Sequence, residues 1–333
     1  MRALIVLIAA LIAPGFAAAA GQIVDAAFVE QAMKRDAIVW DARDAAEYRK
    51  GHIPGAINID DAGRVLRDPN TEDFIPTARI EKIFGDAGLD PAREIIVYAT
   101  RGSVLSYFGL FALEYFGAKN AFVFHEGIDG WRDAAKPVAT EAQKRAALSV
   151  KLVPQPQLAV STQEMRAAVG KPGVQIVDAR TPREYSGEDI RAIRGGHIPG
   201  AVNIPYEQNW SDPDTAGKLA RKQVADNRGM SLKTQQELRQ LYGKLDPAKE
   251  TIVYCQSGVR AAETAYVLKE LGFADVKVYD ASWLAYGNTL DAPANNATFF
   301  NVGAMNGRMS AMQSRIEQLE KDLAAARSNS AAR

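Results

Sequence analysis

Cysteine occurs once in the 333 residues, at position 255. A lone thiol excludes an intrachain disulfide framework and leaves either an intermolecular bond or a reactive sulfur. Net charge is missing too, since 40 Lys and Arg stand against 40 Asp and Glu. With no surplus of either sign, the composition excludes a nucleic-acid binder and a protein held on membranes by charge. The apolar run at the start, Ala3 to Ala13, is too short to span a bilayer. With Arg2 ahead of it and small residues behind, it reads as a signal peptide over residues 1–20, cleaved near Ala19 or Ala20. The expected product is periplasmic or secreted, with no stable membrane anchor after cleavage.

What is present is a repeat. "VWDARDAAEYRKGHIPGAINI" (39–59) returns as "IVDARTPREYSGEDIRAIRGGHIPGAVNI" (176–204), and "GLDPAREIIVYATRGSV" (88–104) as "KLDPAKETIVYCQSGVR" (244–260). Two domains on one plan follow, over residues 22–138 and 157–292, with a charged, proline-bearing linker at 139–156. The second copy is longer, mainly through the polar stretch from Tyr206 to Gln240. Short β-branched runs alternate with amphipathic segments: Ala37–Trp40, Ile95–Tyr98 and Ala121–Phe124, then Val174–Val177, Thr251–Tyr254 and Val276–Tyr279. The pattern predicts an α/β fold, each domain a mainly parallel sheet flanked by helices. In such sheets ligands sit beyond the carboxyl ends of strands, where Cys255 falls.

Residues 303–328 read as a C-terminal amphipathic helix. Met305, Met309, Met312, Ile316, Leu319 and Leu323 are spaced 4-3-4-3-4. Two arrangements bury that seam: a short coiled coil, or a helix folded back on the second domain. Residues 305–327 are therefore the expected contact for a homo-oligomer or a protein partner.

Cys255, Gln256, Ser257, Gly258, Val259 and Arg260 form a turn between a strand and a helix. Gly258 can take a positive φ, and successive backbone amides can then form a nest for an anion. The helix N-terminus adds partial positive charge, so a thiolate is favoured there. Arg260 can brace the loop through a bidentate bond to Glu184. A nucleophilic thiolate, a nest for the outgoing or resident charge and a second nucleophile together describe covalent sulfur transfer through a Cys255 persulfide. Neither cofactor nor metal is required. Arg43 and Arg180 follow aspartates at strand ends and are expected to tie loops together by ion pairs. His52 and His197, in "HIPG" turns, read as packing residues, and His125 has no expected role.

The segments "DAR…EY…GHIPGAVNIP", "YCQSGVR" and "VYDASWLAYGN" resemble a tandem-domain rhodanese, over about residues 22 to 290. The resemblance implies two rhodanese domains with the catalytic cysteine in the second, and small sulfur donors and acceptors as substrates: thiosulfate or 3-mercaptopyruvate, and cyanide or thiols. Related phosphatases place one more residue between cysteine and arginine than the four found here, so the loop suits sulfur better than phosphate. In the first copy, Ala99 and Val104 replace the cysteine and arginine, leaving a silent domain expected to wall one side of the cleft.

The chain also departs from its apparent relatives. Glu184 stands where tandem enzymes carry an arginine for the substrate anion, which leaves Arg183, Arg191 or Arg194 for that role. Ser257 matches the mercaptopyruvate-type loop, yet Phe74 replaces the histidine of those enzymes. Thiosulfate is accordingly the expected better donor. The alternative is a non-enzymatic persulfide carrier or assembly factor that docks a partner through the C-terminal helix.

Overall fold

The computed structural model describes residues 22–331, with side chains through 327, so the expected signal peptide and cleavage site lie outside the described residues. The first domain carries β1 (Ile38–Asp41), β2 (Ile57–Asn58), β3 (Ile95–Tyr98) and β4 (Ala121–Phe124) in the order β2-β1-β3-β4, all parallel. The second carries β5 (Val174–Asp178), β6 (Arg194–His197), β7 (Val202–Asn203), β8 (Glu250–Tyr254), β9 (Asp275–Val278) and β10 (Asn295–Phe299). Its main sheet repeats the first, in the order β7-β5-β8-β9. Every residue of β1 and β3 is buried, as strands covered by helices on both faces must be. β6 and β10 form a separate antiparallel ribbon that the hydrophobic pattern did not reveal. A side chain at Gly195 would meet Thr298 Oγ1 at 2.5 Å, so a glycine is needed for β10 to lie there.

The two domains share one continuous core. Helices Val104–Tyr115 and Val259–Glu270, which follow the two equivalent loops, face each other across it. The Tyr107 and Tyr266 rings lie 6.4 Å apart, and Tyr266 donates a 2.6 Å bond to Glu114. The linker is strapped down: Leu148 N–H bonds Gly85 O, Leu152 N–H bonds Glu81 and Gln155 N–H bonds Tyr115 O.

The C-terminal helix runs over Val302–Ala331. Its seam is not buried within the chain, which corrects the expectation of a helix folded back on the second domain. Met309 and Met312 are 58% and 65% exposed. Only Phe300 and Asn301 separate β10 from the helix, so no turn returns it to the domain.

Candidate active site

β8 delivers Cys255 to the carboxyl edge of the sheet, where the chain turns through Gly258, at φ +80°, into helix Val259–Glu270. The cysteine is 1% exposed. Several bonds hold the turn. The Cys255 and Gly258 N–H groups both donate to Ser282 Oγ at 3.0 Å, and Ser282 donates to Tyr279 O at 2.6 Å. Trp283 and Leu284 N–H groups bond the carbonyls of Cys255 and Gln256, and the Gln256 side chain donates to Arg191 O. Among the described residues, the amides of Gln256, Ser257, Arg260 and Ala261 find no acceptor. They are the donors left for an anion at the helix start.

Ser282 is therefore a positioning residue that the sequence reading passed over, although it lies within the quoted "VYDASWLAYGN" stretch. Ser282→Ala would leave two buried amides without an acceptor, at about 1–3 kcal/mol each. The expected result is a lower urea midpoint together with at least tenfold slower alkylation of Cys255. Unchanged values for both would show that the hydroxyl does not hold the loop.

Arg260 and Glu184 meet in a parallel fork, with both N···O distances 2.8 Å. Glu184 sits at the N-terminus of helix Pro182–Ser186 because Thr181 caps it, and its Oε2 also accepts the Thr181 N–H at 3.1 Å. Burial alone would raise the Glu184 carboxyl, but the Arg260 fork and the Thr181 amide bring it down to about 2. Burial opposes the charge on Arg260, yet Glu184 and the nearby Cys255 hold it well above the usual arginine value. Arg180 braces a neighbouring turn: it binds Asp178 at 2.6 Å and Gly196 O at 2.8 Å, with its guanidinium 4.6 Å over Trp283. Arg43 does the same with Asp41 and Gly51 O in the first domain.

The candidate anion-binding arginines separate clearly. Arg183 is exposed and faces Glu188 at 3.6 Å. Arg194 is buried, and its Nη2 is engaged by the carbonyls of Tyr286, Thr289 and Ala292. Those carbonyls hold its Nη2, while its Nε is buried without a partner among the described residues. Arg191 alone lies against the loop, half exposed and 3.3 Å from Glu184.

Each domain reaches over the equivalent loop of the other. From the first domain, Arg67 donates to Ser257 O and lies 3.3 Å from Asp280. Asp280 abuts Gly258, where an added Cβ would sit 2.2 Å from its Oδ1. Burial, with Asp73 and Glu72 nearby, pushes the Asp280 carboxyl up to about 6 against the pull of Arg67. In the other direction, the long stretch of the second copy covers the equivalent loop of the first domain. Asn227 bonds Arg101 and Asp129, Met230 O bonds His125 Nε2 at 2.8 Å, and Met230 lies on Gly102. This gives His125 a place in the domain interface. The rings of His52 and His197 stack on Tyr48 and Tyr185, each with Nδ1 on a backbone carbonyl.

The family model for the rhodanese-like domain matches twice, at residues 25–134 and 161–289. The chain is 35% identical over 269 residues to the thiosulfate sulfurtransferase of Corynebacterium glutamicum, covering 77% of this chain and 83% of that one. It is 31% identical over 257 residues to the thiosulfate sulfurtransferase of Azotobacter vinelandii, covering 77% and 90%. The solved anaerobic ergothioneine biosynthesis enzyme from Chlorobium limicola superposes with a TM-score of 0.70 at 21% identity, over 82% of this chain and 70% of that one, a likeness of fold. The chain belongs to the rhodanese family, as a tandem-domain sulfurtransferase.

Proposed function

We propose that this rhodanese moves a sulfane sulfur from thiosulfate to a thiophilic acceptor such as cyanide or a thiol, in the periplasm or outside the cell. The observation that carries the reading is the placement of Cys255 on a turn braced by Arg260 and Glu184, with four amides unengaged. The Cys255 thiolate attacks the outer sulfur of thiosulfate. The S–S bond of the donor breaks, and sulfite leaves with the electron pair. The new cysteine persulfide bears its charge on the outer sulfur, where the amides of Gln256, Ser257, Arg260 and Ala261 can receive it. Cyanide then bonds that sulfur, thiocyanate departs and the thiolate returns. Arg191, half exposed beside the loop, is the residue we assign to the donor's anionic end. The near-complete burial of Cys255 favours a donor that presents one small sulfur and shields the persulfide from water.

The choice of thiosulfate rests on proton transfer. Departure of sulfur from 3-mercaptopyruvate leaves an enolate that needs a proton or a strong donor, whereas sulfite is already a stable anion. Phe74 stacks on Phe108 and Tyr115, meets Phe116 edge-on and has no ionisable proton to give. All three histidines of the chain are engaged in packing or the domain interface. At one cyanide concentration and pH, kcat/KM for thiosulfate should exceed that for 3-mercaptopyruvate. A tenfold advantage for mercaptopyruvate, about 1.4 kcal/mol in the transition state, would overturn the assignment.

The exposed C-terminal helix favours a second reading, a dedicated persulfide carrier docking one partner. Turnover separates the two: an enzyme cycles with cyanide or dithiothreitol, while a carrier loads once and stalls.

A further inference from the structure

We infer that two copies of this chain associate through residues 302–327 as a parallel, in-register, two-stranded coiled coil. Extending the seam to the start of the helix at Val302 lengthens it to three full heptads. Val302, Met309, Ile316 and Leu323 form one row at sevens, and Met305, Met312 and Leu319 the other. All are exposed, from 38% at Met305 to 65% at Met312, along one face of the helix. A strict seven-residue repeat on a helix of 3.6 residues per turn is the pattern of a left-handed supercoil. β-branched Val302 and Ile316 in the first row, with Leu319 in the second, favour two strands.

Charge selects the occupant and its direction. In a parallel in-register pair, each residue flanking one side of the seam faces the residue five places further along the other copy. Arg315 of one copy then meets Glu320 of the other, and Asp322 meets Arg327. Symmetry doubles both pairs, and the remaining flanking pair, Arg308 with Gln313, opposes no like charges. Turning one helix round sets Arg315 against Arg315 and leaves Glu320 opposite Asn306, so that of the opposite-charge pairs only Arg308 with Asp322 is made. The outer face carries Gly303, Gly307, Ser310 and Ser314, which weaken an isolated helix and add no apolar surface. The segment's cations, Arg308, Arg315, Lys321 and Arg327, are nearly matched by Glu317, Glu320 and Asp322, unlike the basic polar face of a membrane-surface helix.

The inference does not depend on the identity of the sulfur donor, and its test reads mass and orientation rather than turnover. Sedimentation equilibrium of the purified protein at tens of micromolar should give twice the chain mass. Ile316→Lys with Leu319→Lys, both on the exposed seam, should return it to one chain mass with sulfur transfer unchanged. Arg315→Glu should weaken the dimer several-fold, Glu320→Arg likewise, and the double exchange should restore it. An antiparallel pair would show neither the second loss nor the rescue. In a Cys255→Ser background, Met312→Cys should cross-link within the dimer on oxidation, since in-register copies place the two thiols side by side. A wild-type monomer at these concentrations would overturn the proposal. So would a dimer without rescue or cross-link, or a monomer that binds anionic lipid vesicles through this helix.

Discussion

Cys255→Ser should lower sulfur transfer from thiosulfate to cyanide by at least a thousandfold, while the protein keeps its thermal midpoint within a few degrees. The chain has no second thiol to take over the covalent step, so no residual route through another cysteine exists. A serine hydroxyl in the same place is a far poorer nucleophile toward sulfur at neutral pH, because almost none of it is ionised. The fold should tolerate the change. The bonds from the N–H of residue 255 to Ser282 and to its carbonyl from Trp283 use the backbone alone. Activity within tenfold of wild type would remove Cys255 from the mechanism.

The second large effect is expected at Arg260. Arg260→Lys keeps the charge but loses the planar fork that meets both Glu184 oxygens, so kcat/KM should fall about a hundredfold, roughly 2.7 kcal/mol. Arg260→Ala goes further. It leaves Glu184, almost wholly buried, with the Thr181 bonds but only the more distant Arg191 as a paired cation, and should cost about 3–5 kcal/mol of stability. The same pair predicts a pH dependence. Glu184 titrates near 2 in the folded chain against 4.5 as its ordinary value. A carboxyl depressed on folding contributes stability that is fully present above its unfolded value. That contribution, roughly 3 kcal/mol for this shift, is lost as pH falls from about 4.5 toward 2. Urea midpoints across that window should decline steeply in the wild type and much less in Arg260→Ala. Parallel curves would show that the pair does not set acid stability.

The parts of this architecture that were legible in sequence are those written in short, fixed spacings. Strands such as Ile95–Tyr98 and Glu250–Tyr254 are apolar runs that need no distant partner to be recognised. The Cys255–Arg260 turn carries its glycine, its arginine and its helix within a dozen residues. Glu184 could be matched to Arg260 because the repeated "EY" places a carboxylate at the end of the neighbouring strand. Arg67 had no such signal. It lies 190 positions before the carbonyl it binds, and only the pairing of the two domains brings them together. Arg183, Arg191 and Arg194 could not be ranked from sequence for a related reason: the burial of Arg194 accompanies the β6–β10 ribbon, which has no hydrophobic alternation to announce it. The seam of the last helix was visible as a pattern, but its exposure depends on the direction in which the ribbon releases the chain.

The central claim is a persulfide on the one cysteine, and intact-mass spectrometry tests it most directly. The protein is incubated with thiosulfate, freed of small molecules and weighed, then weighed again after cyanide. The account predicts a gain of one sulfur atom, carried by the peptide containing Cys255, absent in Cys255→Ser and removed by cyanide with an equal yield of thiocyanate. Transfer that proceeds at the wild-type rate with no sulfur ever found on Cys255 would contradict it.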